Sequence, residues 1–139
     1  MFKANTKFLV VDDFGTMRKI IRKVIAEIGY TNSIEATDGV EAYKLLIEHG
    51  QTNEPFEYVI ADWNMPNMSG LELLKKCRND EKFKKIPIMF VTAEGEQAQI
   101  LEAIKEGVTE YVVKPFTAEK IKEKLESSYK KLGPNPKTA

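Results

Sequence analysis

Apolar and polar residues follow two distinct patterns along the chain. Short runs that are almost wholly apolar, such as KFLVV at 7–11, are typical of strands buried on both faces. Longer segments carry an apolar residue every three to four positions, as between Met17 and Ile28, which indicates an amphipathic helix ending near Gly29. On these patterns we expect strands at 7–11, 33–37, 56–63, 86–93 and 110–114. We expect helices at 17–28, 39–50, 71–78, 96–106 and after Thr117, which can cap the last one.

Regular alternation of strand and helix predicts an α/β fold. The strands are nearly continuous apolar runs, so helices must cover both faces of a parallel sheet. We therefore predict a doubly wound, five-stranded parallel sheet with five helices, the last of which turns Ile121, Leu125 and Leu132 inward. We expect a single domain over 1–133, and a frayed C-terminal tail over 134–139 because that tail offers no core residues.

Composition and charge exclude several classes of function. Lysine plus arginine and aspartate plus glutamate each total 21, so the formal net charge is zero, which argues against non-specific nucleic-acid binding. No apolar run approaches the ~18 residues of a membrane span, and no apolar segment opens the chain. The single cysteine, Cys77, cannot form an internal disulfide. We therefore expect a cytoplasmic protein with no membrane or nucleic-acid partner, in which Cys77 is a core or half-exposed thiol.

Charge is unevenly distributed towards the C-terminal end. Residues 94–110 hold five glutamates against Lys105 alone, and residues 120–137 hold six lysines against two glutamates. An acidic segment followed by a basic one can mark a partner-binding surface. On charge alone, two solvated helix surfaces are the more common explanation.

Chemically active side chains stand at the ends of four predicted strands. In an open parallel α/β sheet, ligands bind at the carboxyl ends of the strands. The side chains at these ends are three carboxylates, a hydroxyl and an ammonium, at Asp12, Asp13, Asp62, Thr92 and Lys114. Because parallel strands end at the same edge, the pattern predicts one site there.

The physical chemistry of this set indicates a metal and a phosphate. Three clustered carboxylates raise one another's pKa unless a cation separates them. All-oxygen ligands favour a hard ion, Mg²⁺ or Ca²⁺, and Mg²⁺ is favoured because it combines one or two carboxylates with phosphate oxygens. Lys114 and Thr92 would then bind the phosphate, and an aspartate beside Mg²⁺ and that lysine is set up as a nucleophile that forms an aspartyl-phosphate.

Each of these residues also has a simpler explanation when it is taken alone. Asp12 or Asp13 would be a helix N-cap, Thr92 a good strand residue, and Lys114 a solvated surface lysine. A cis peptide before Pro115 would aim Lys114 inward, although trans is the more frequent form.

Four motifs together resemble a known family. FLVVDDFGTMRKIIRKV, DWNMPNMSGLELL, VTAE and YVVKPFTA are similar to the receiver domain of two-component response regulators, and most similar to the stand-alone chemotaxis regulators. The likeness covers about 5–133. It implies a flavodoxin-like sheet with strand order 2-1-3-4-5.

The resemblance implies a role for each site residue. Asp62 would accept a phosphoryl group from the phosphohistidine of a chemotaxis histidine kinase (CheA-type). Asp13, Asp62 and the backbone carbonyl of Asn64 would bind Mg²⁺ directly, with Asp12 acting through water. Lys114 would contact the phosphoryl group.

The resemblance also implies a switch and its partners. Thr92 would move towards the phosphoryl group and Tyr111 would turn inward behind it, while Asn64 and Glu94 would tune dephosphorylation. Helix 4, strand 5 and helix 5 would bind the flagellar motor switch protein (FliM-type), and a phosphatase is a further partner of this kind. The protein would be a monomeric signalling phosphoacceptor rather than an enzyme, catalysing only its own phosphotransfer and autodephosphorylation.

Some features depart from the family pattern. Ser69 stands where close relatives usually have an acidic residue, the loop around 49–55 is a few residues long, and residues 134–139 extend past the usual end. None of them belongs to the site, but each could alter partner choice.

Other classes of protein fit the sequence less well. A haloacid-dehalogenase-type phosphatase needs an acid two residues after its nucleophile, where Phe14 follows Asp12. A flavodoxin-like cofactor binder needs a phosphate-cradling loop, whereas DDFGT presents two negative charges. A transcription-factor receiver would need room for a DNA-reading helix-turn-helix. A stand-alone receiver in a non-motility phosphorelay remains the alternative.

Overall fold

Strands and helices alternate throughout residues 1–132, the part of the chain that the computed structural model describes. The expected frayed tail at 134–139 lies outside the described residues. The elements are β1 (Phe8–Val11), α1 (Gly15–Ile28), β2 (Ser33–Ala36), α2 (Gly39–Gly50), β3 (Tyr58–Ala61), α3 (Gly70–Arg78), β4 (Ile88–Thr92), α4 (Gln97–Lys105), β5 (Glu110–Val113) and α5 (Ala118–Leu132).

The five strands form one parallel sheet in the order β2-β1-β3-β4-β5. The predicted fold class is therefore confirmed, and so is the strand order that the resemblance implied. In the central register, Val11 of β1 pairs with Ala36 on one side and Ala61 on the other. These strands end level with one another, so the residues that follow them emerge at one edge.

Two apolar clusters cover the two faces of the sheet. Successive strand residues point to opposite faces, so Leu9 belongs to the first cluster and Phe8 to the second. Helices α2, α3 and α4 pack on the first face, and α1 and α5 pack on the second. Ile121 and Leu125 are fully buried and Leu132 is partly buried, as predicted for the last helix. None of the helices within the described residues is long and apolar enough to cross a membrane.

The predicted boundaries were wrong by one or two residues at most elements. The third strand, expected at 56–63, is limited to Tyr58–Ala61, because Asp62 and Trp63 leave the ladder to form the site described below. The first helix begins at Gly15 rather than Met17, since helical hydrogen bonding precedes the first inward residue. Apolar pattern marks burial, whereas element ends are set by hydrogen bonds.

Side-chain caps begin three of the helices. Thr117 accepts a hydrogen bond from the Lys120 amide at 3.1 Å, which confirms its predicted role. Asp38 caps α2 through the Glu41 amide at 2.9 Å. Ser69 and Glu72 form a reciprocal capping box at the start of α3. Ser69, which departs from the pattern of the family that the chain resembles, thus begins α3.

Cys77 is fully buried on α3, within the first apolar cluster. Burial raises the pKa of its thiol to about 12. Thiol reagents react with the thiolate, so we expect Cys77 to react at least about a hundredfold more slowly in the folded protein than in the unfolded chain near neutral pH. Absorbance of a disulfide-exchange reagent, with and without denaturant, measures this ratio. Rapid reaction without denaturant would contradict the burial.

Candidate functional site

Three aspartates meet at the carboxyl edge of the sheet. Asp12 and Asp62 directly follow the last residues of β1 and β3, which are paired in register. One carboxylate oxygen from each of Asp12, Asp13 and Asp62 lies within 4.8 Å of the others. Asp12 is fully buried and Asp62 is nearly so, whereas Asp13 is exposed. We call these three residues the acid cluster.

Lys114, which directly follows the edge strand β5, brings a positive charge to the acid cluster. Its Nζ atom lies 3.2 Å from Asp12 Oδ2 and 3.4 Å from Asp62 Oδ2. The Lys114–Pro115 peptide is cis, the form in which the sequence suggested that the lysine would point inward. One ammonium against three carboxylates leaves the site with a net negative charge.

Asp12 is held by its burial and by two donors. Burial raises the pKa of its carboxyl, and the neighbouring Asp62 charge adds to that rise. The Phe14 amide, which donates to Asp12 Oδ1 at 2.9 Å, and the Lys114 ammonium oppose it. Neither Asp12 nor Asp13 caps α1, as the simpler explanation would require. The N-cap position belongs to Phe14, which offers no side-chain oxygen.

Asp62 presents its two oxygens to different partners. Oδ1 accepts a hydrogen bond from the Trp63 amide at 2.7 Å, and Oδ2 faces Lys114. Trp63 packs its ring edgewise on Phe90, with the centroids 5.7 Å apart. The Oδ2 atom is thus the oxygen that is turned towards the Lys114 ammonium.

Glu94 connects the remaining site residues. Thr92 ends β4 and is fully buried, and its Oγ1 accepts from the Glu94 amide at 3.3 Å. The Tyr111 hydroxyl donates to the Glu94 carbonyl, and Asn64 Nδ2 donates to Glu94 Oε1 at 2.7 Å. Burial, then the charges of Glu94 and Asp62, raise the pKa of Tyr111 to about 12, so its hydroxyl remains a donor.

The donor set fits a hard divalent cation. All three side chains of the acid cluster offer carboxylate oxygens. The only cysteine is buried in α3, and the only histidine, His49, contacts Lys7 instead. Oxygen ligands without nitrogen or sulfur are the set that Mg²⁺ and Ca²⁺ prefer.

An arginine that the motifs did not single out also supports the acid cluster. Arg18 donates through Nη1 to the Asp12 carbonyl at 2.7 Å and through Nε to Glu35 at 2.6 Å. Arg22 donates to the same carboxylate at 2.6 Å, and the Arg18 bond is the main reason that the pKa of Glu35 is lowered. The available signal was an acid within β2 together with two arginines spaced by one helical turn.

Residues 8–126 match the family described as response regulator receiver domain. The chain therefore belongs to the response regulator receiver domain family.

Within this family, the chain is similar to several chemotaxis proteins. The chain is 49% identical over 120 residues to the chemotaxis protein CheY1 of Helicobacter pylori, covering 86% of this chain and 94% of the relative. It is 44% identical over 128 residues to the chemotaxis protein CheY-3 of Vibrio cholerae, covering 92% and 95%. The solved structure of the Vibrio cholerae chemotaxis protein CheY4 superposes with a TM-score of 0.77 at 31% identity, covering 90% and 99%.

Gly70 lets α3 begin against the acid cluster. A Cβ atom there would lie 2.1 Å from the Asp62 carbonyl oxygen. We expect Gly70→Ala to cost about 1–3 kcal/mol of unfolding free energy, because backbone must move to relieve the overlap. Urea denaturation measures the cost.

Gly50→Ala is the matched control for this prediction. Its Cβ would meet only the Phe83 ring, at 3.7 Å, which is ordinary contact. We expect that variant to be neutral or more stable by up to about 1 kcal/mol, since alanine favours a helix over glycine. Equal effects of the two substitutions would contradict the close approach at Gly70.

Proposed function

We propose that this chain is a chemotaxis response regulator whose Asp62 accepts a phosphoryl group from the phosphohistidine of a chemotaxis histidine kinase. The observation that carries the proposal is the position of Asp62, whose Oδ2 lies beside the Lys114 ammonium within the acid cluster. The similarity to chemotaxis proteins of two other bacteria supports the choice of pathway.

Mg²⁺ is the proposed cofactor. Asp13, Asp62 and the backbone carbonyl of Asn64 would hold it directly, with Asp12 acting through water. When bound, Mg²⁺ would neutralise the carboxylates and draw charge from the oxygens of the incoming phosphoryl group.

Phosphotransfer requires one bond to form and one to break at phosphorus. Asp62 Oδ2 attacks the phosphorus as the bond from phosphorus to the histidine nitrogen breaks, and the imidazole leaves with that electron pair. Lys114 lies next to Oδ2, so its ammonium stabilises the negative charge on the phosphoryl oxygens. The remaining oxygen of Asp62 stays fixed by the Trp63 amide, which orients the carboxylate.

Loss of the phosphoryl group reverses the state of Asp62. A water molecule attacks phosphorus, the bond between phosphorus and the Asp62 oxygen breaks, and inorganic phosphate leaves. Asn64 and Glu94 are hydrogen-bonded to each other at the rim of the acid cluster. This pairing supports the proposal that the two side chains limit how water approaches the phosphoryl group and so tune the lifetime of the phosphorylated state.

The switch would run through the backbone of Glu94. Thr92 accepts from the amide of that residue and Tyr111 donates to its carbonyl. When the Thr92 hydroxyl turns to donate to a phosphoryl oxygen, it can no longer hold the Glu94 amide in the same position. The position of Tyr111 then responds to the charge at Asp62, which links the site to the surface of α4 and β5.

The proposed output surface consists of α4, β5 and α5. Leu101, Ile104 and Val113 are exposed there, and exposed apolar side chains grouped in this way are typical of a protein interface. One residue of the acidic segment does not belong to that surface. Glu110 is buried and lies 2.9 Å from Lys131, so it joins the acidic and basic segments internally. The proposed partner is a flagellar motor switch protein, and the alternative is a non-motility phosphorelay.

Trp63 reports on the chemistry at its neighbour Asp62. We expect Mg²⁺ to change its fluorescence and a small acyl-phosphate donor to change it further. Asp62→Asn should remain folded and lose the second response, because an amide is not the nucleophile that a carboxylate is. Fluorescence titration and the stoichiometry of incorporated phosphate measure both effects.

Asp80→Asn is the control for that variant, since Asp80 lies just beyond the opposite end of α3 and is bonded to Tyr43. It should keep both responses. Stoichiometric phosphate incorporation by Asp62→Asn would show that Asp62 is not the acceptor, and a wild-type protein without any Mg²⁺ response would rule out the cofactor.

The output surface makes a separate prediction. Ile104 is 57% exposed, so Ile104→Ser should leave phosphorylation unchanged while weakening binding to a purified motor switch protein by about tenfold. Val40→Ser, at a comparably exposed apolar residue on α2, is the control and should bind normally. Normal binding by Ile104→Ser would exclude this surface. No binding by the phosphorylated wild-type protein would favour the non-motility alternative.

A further inference from the structure

The loop that follows the phosphoacceptor begins and ends at the same place. We call residues 64–69 the acceptor loop. The Gly70 amide donates to the Trp63 carbonyl at 2.8 Å, and Gly70 lies directly against the Asp62 carbonyl. Both ends of the acceptor loop are therefore held by the backbone of Asp62 and Trp63, and any movement of the loop pivots about that base.

The tip of the acceptor loop is tied to the start of α2. Asn67 Nδ2 donates to Asp38 Oδ2 at 2.7 Å, and the Gly39 amide donates to the Met68 carbonyl at 3.1 Å. Asn67 has a φ of 67°, a left-handed conformation that asparagine tolerates better than most residues. A Cβ atom on Gly39 would lie 2.7 Å from the Met68 carbonyl oxygen, so the approach is close.

Asp38 separates two tasks between its two oxygens. Oδ1 accepts from the Glu41 amide and caps α2, whereas Oδ2 accepts from Asn67 and holds the acceptor loop. These two bonds, that of Glu41 first, hold the pKa of this carboxyl below its usual range. Asp38 is buried as a residue, and Oδ2 is the carboxylate oxygen that faces the loop.

The opposite end of the loop faces the site. Asn64 bonds to Glu94, so the loop is stretched between α2 on one side and the β4–α4 connection on the other. Without the bond between Asp38 and Asn67, the tip of the loop would keep only the bond from the Gly39 amide to the Met68 carbonyl, in addition to the base and the bond to Glu94. Movement at Asn67 would then displace Asn64 and the carboxylate of Asp62.

We propose that Asp38 and Asn67 are positioning residues for the acid cluster, because the bond between their side chains fixes the acceptor loop in the arrangement that holds the cation. This inference deepens the proposed function and rests on it. Neither residue touches the phosphoryl group or the metal. Both act through the loop that carries Asn64.

Two substitutions remove the bond between Asp38 and Asn67, one from each side. Asp38→Ser keeps a good helix cap but is too short to reach Asn67. Asn67→Gly removes the donor and tolerates the positive φ. We expect each to raise the dissociation constant for Mg²⁺ about tenfold in a Trp63 fluorescence titration, the usual effect of losing an outer contact of a metal site. The double variant should be no weaker than the weaker single variant, since both lose the same bond.

Amide exchange tests the tie without metal. In the metal-free protein, the Gly70 amide should exchange several-fold faster in both single variants, because the base of the loop opens more often when the tip has lost its side-chain bond. Tyr58→Phe is the control: it removes the buried contact of Tyr58 with Ser128, 2.6 Å long, at the other end of β3. It should change neither the Mg²⁺ affinity nor the exchange of Gly70.

The outcomes distinguish the two proposals. Wild-type Mg²⁺ affinity in Asp38→Ser and Asn67→Gly, or fully additive losses in the double variant, would overturn the positioning role while leaving the phosphoacceptor function intact. An equal loss in Tyr58→Phe would reduce the effect to general destabilisation and would also overturn it. Absence of Mg²⁺ binding by the wild-type protein would overturn the proposed function and this inference together.

Discussion

Repulsion between two buried carboxylates is the constraint around which the rest of the structure is organised. The parallel register of β1 and β3 places Asp12 and Asp62 side by side at the point where both strands leave the sheet. Burying charge in this way is unfavourable unless a compensating charge lies within a few ångströms. Lys114 reaches both carboxylates from beyond β5, so three strands that are distant in sequence must end at one edge for the charges to be tolerated. The fold and the chemistry therefore depend on each other.

The fold could be predicted well because apolar runs carry most of the information about a buried parallel sheet. Phe8–Val11, Tyr58–Ala61 and Ile88–Thr92 are wholly buried, and short apolar runs that alternate with helical segments are typical of strands covered on both faces. Element ends were less accurate, since Gly15 and Trp63 are placed by hydrogen bonds that hydrophobicity does not encode. The close approach of Asp12, Asp13, Asp62 and Lys114 could be expected from the fold, because parallel strands share one carboxyl edge.

The contacts that surround the site could not be predicted in the same way. Arg18 reaches Glu35 and the Asp12 carbonyl across the gap between α1 and β2, and Asp38 reaches Asn67 across 29 positions of sequence. Each contact depends on the direction of side chains at the ends of helices and strands. The pattern of apolar residues does not predict those directions. Glu110 shows the converse error: it was grouped with solvent-facing acids, yet β5 turns it inward between Lys124 and Lys131. Charge counting along a segment cannot identify which members face water.

The capping box at Ser69 has a consequence for how the site attracts ions. A neutral serine holds the start of α3 by hydrogen bonds alone, at the position where the resemblance leads one to expect an acid. The start of α3, which lies against the backbone of Asp62, therefore carries one negative charge fewer than that pattern implies. Long-range attraction of a divalent cation, and repulsion of an anionic phosphodonor, both scale with that local charge and are screened over about 10 Å at 0.1 M salt. The association rates of these two ligands should accordingly vary less steeply with ionic strength than they would with an acid at this position.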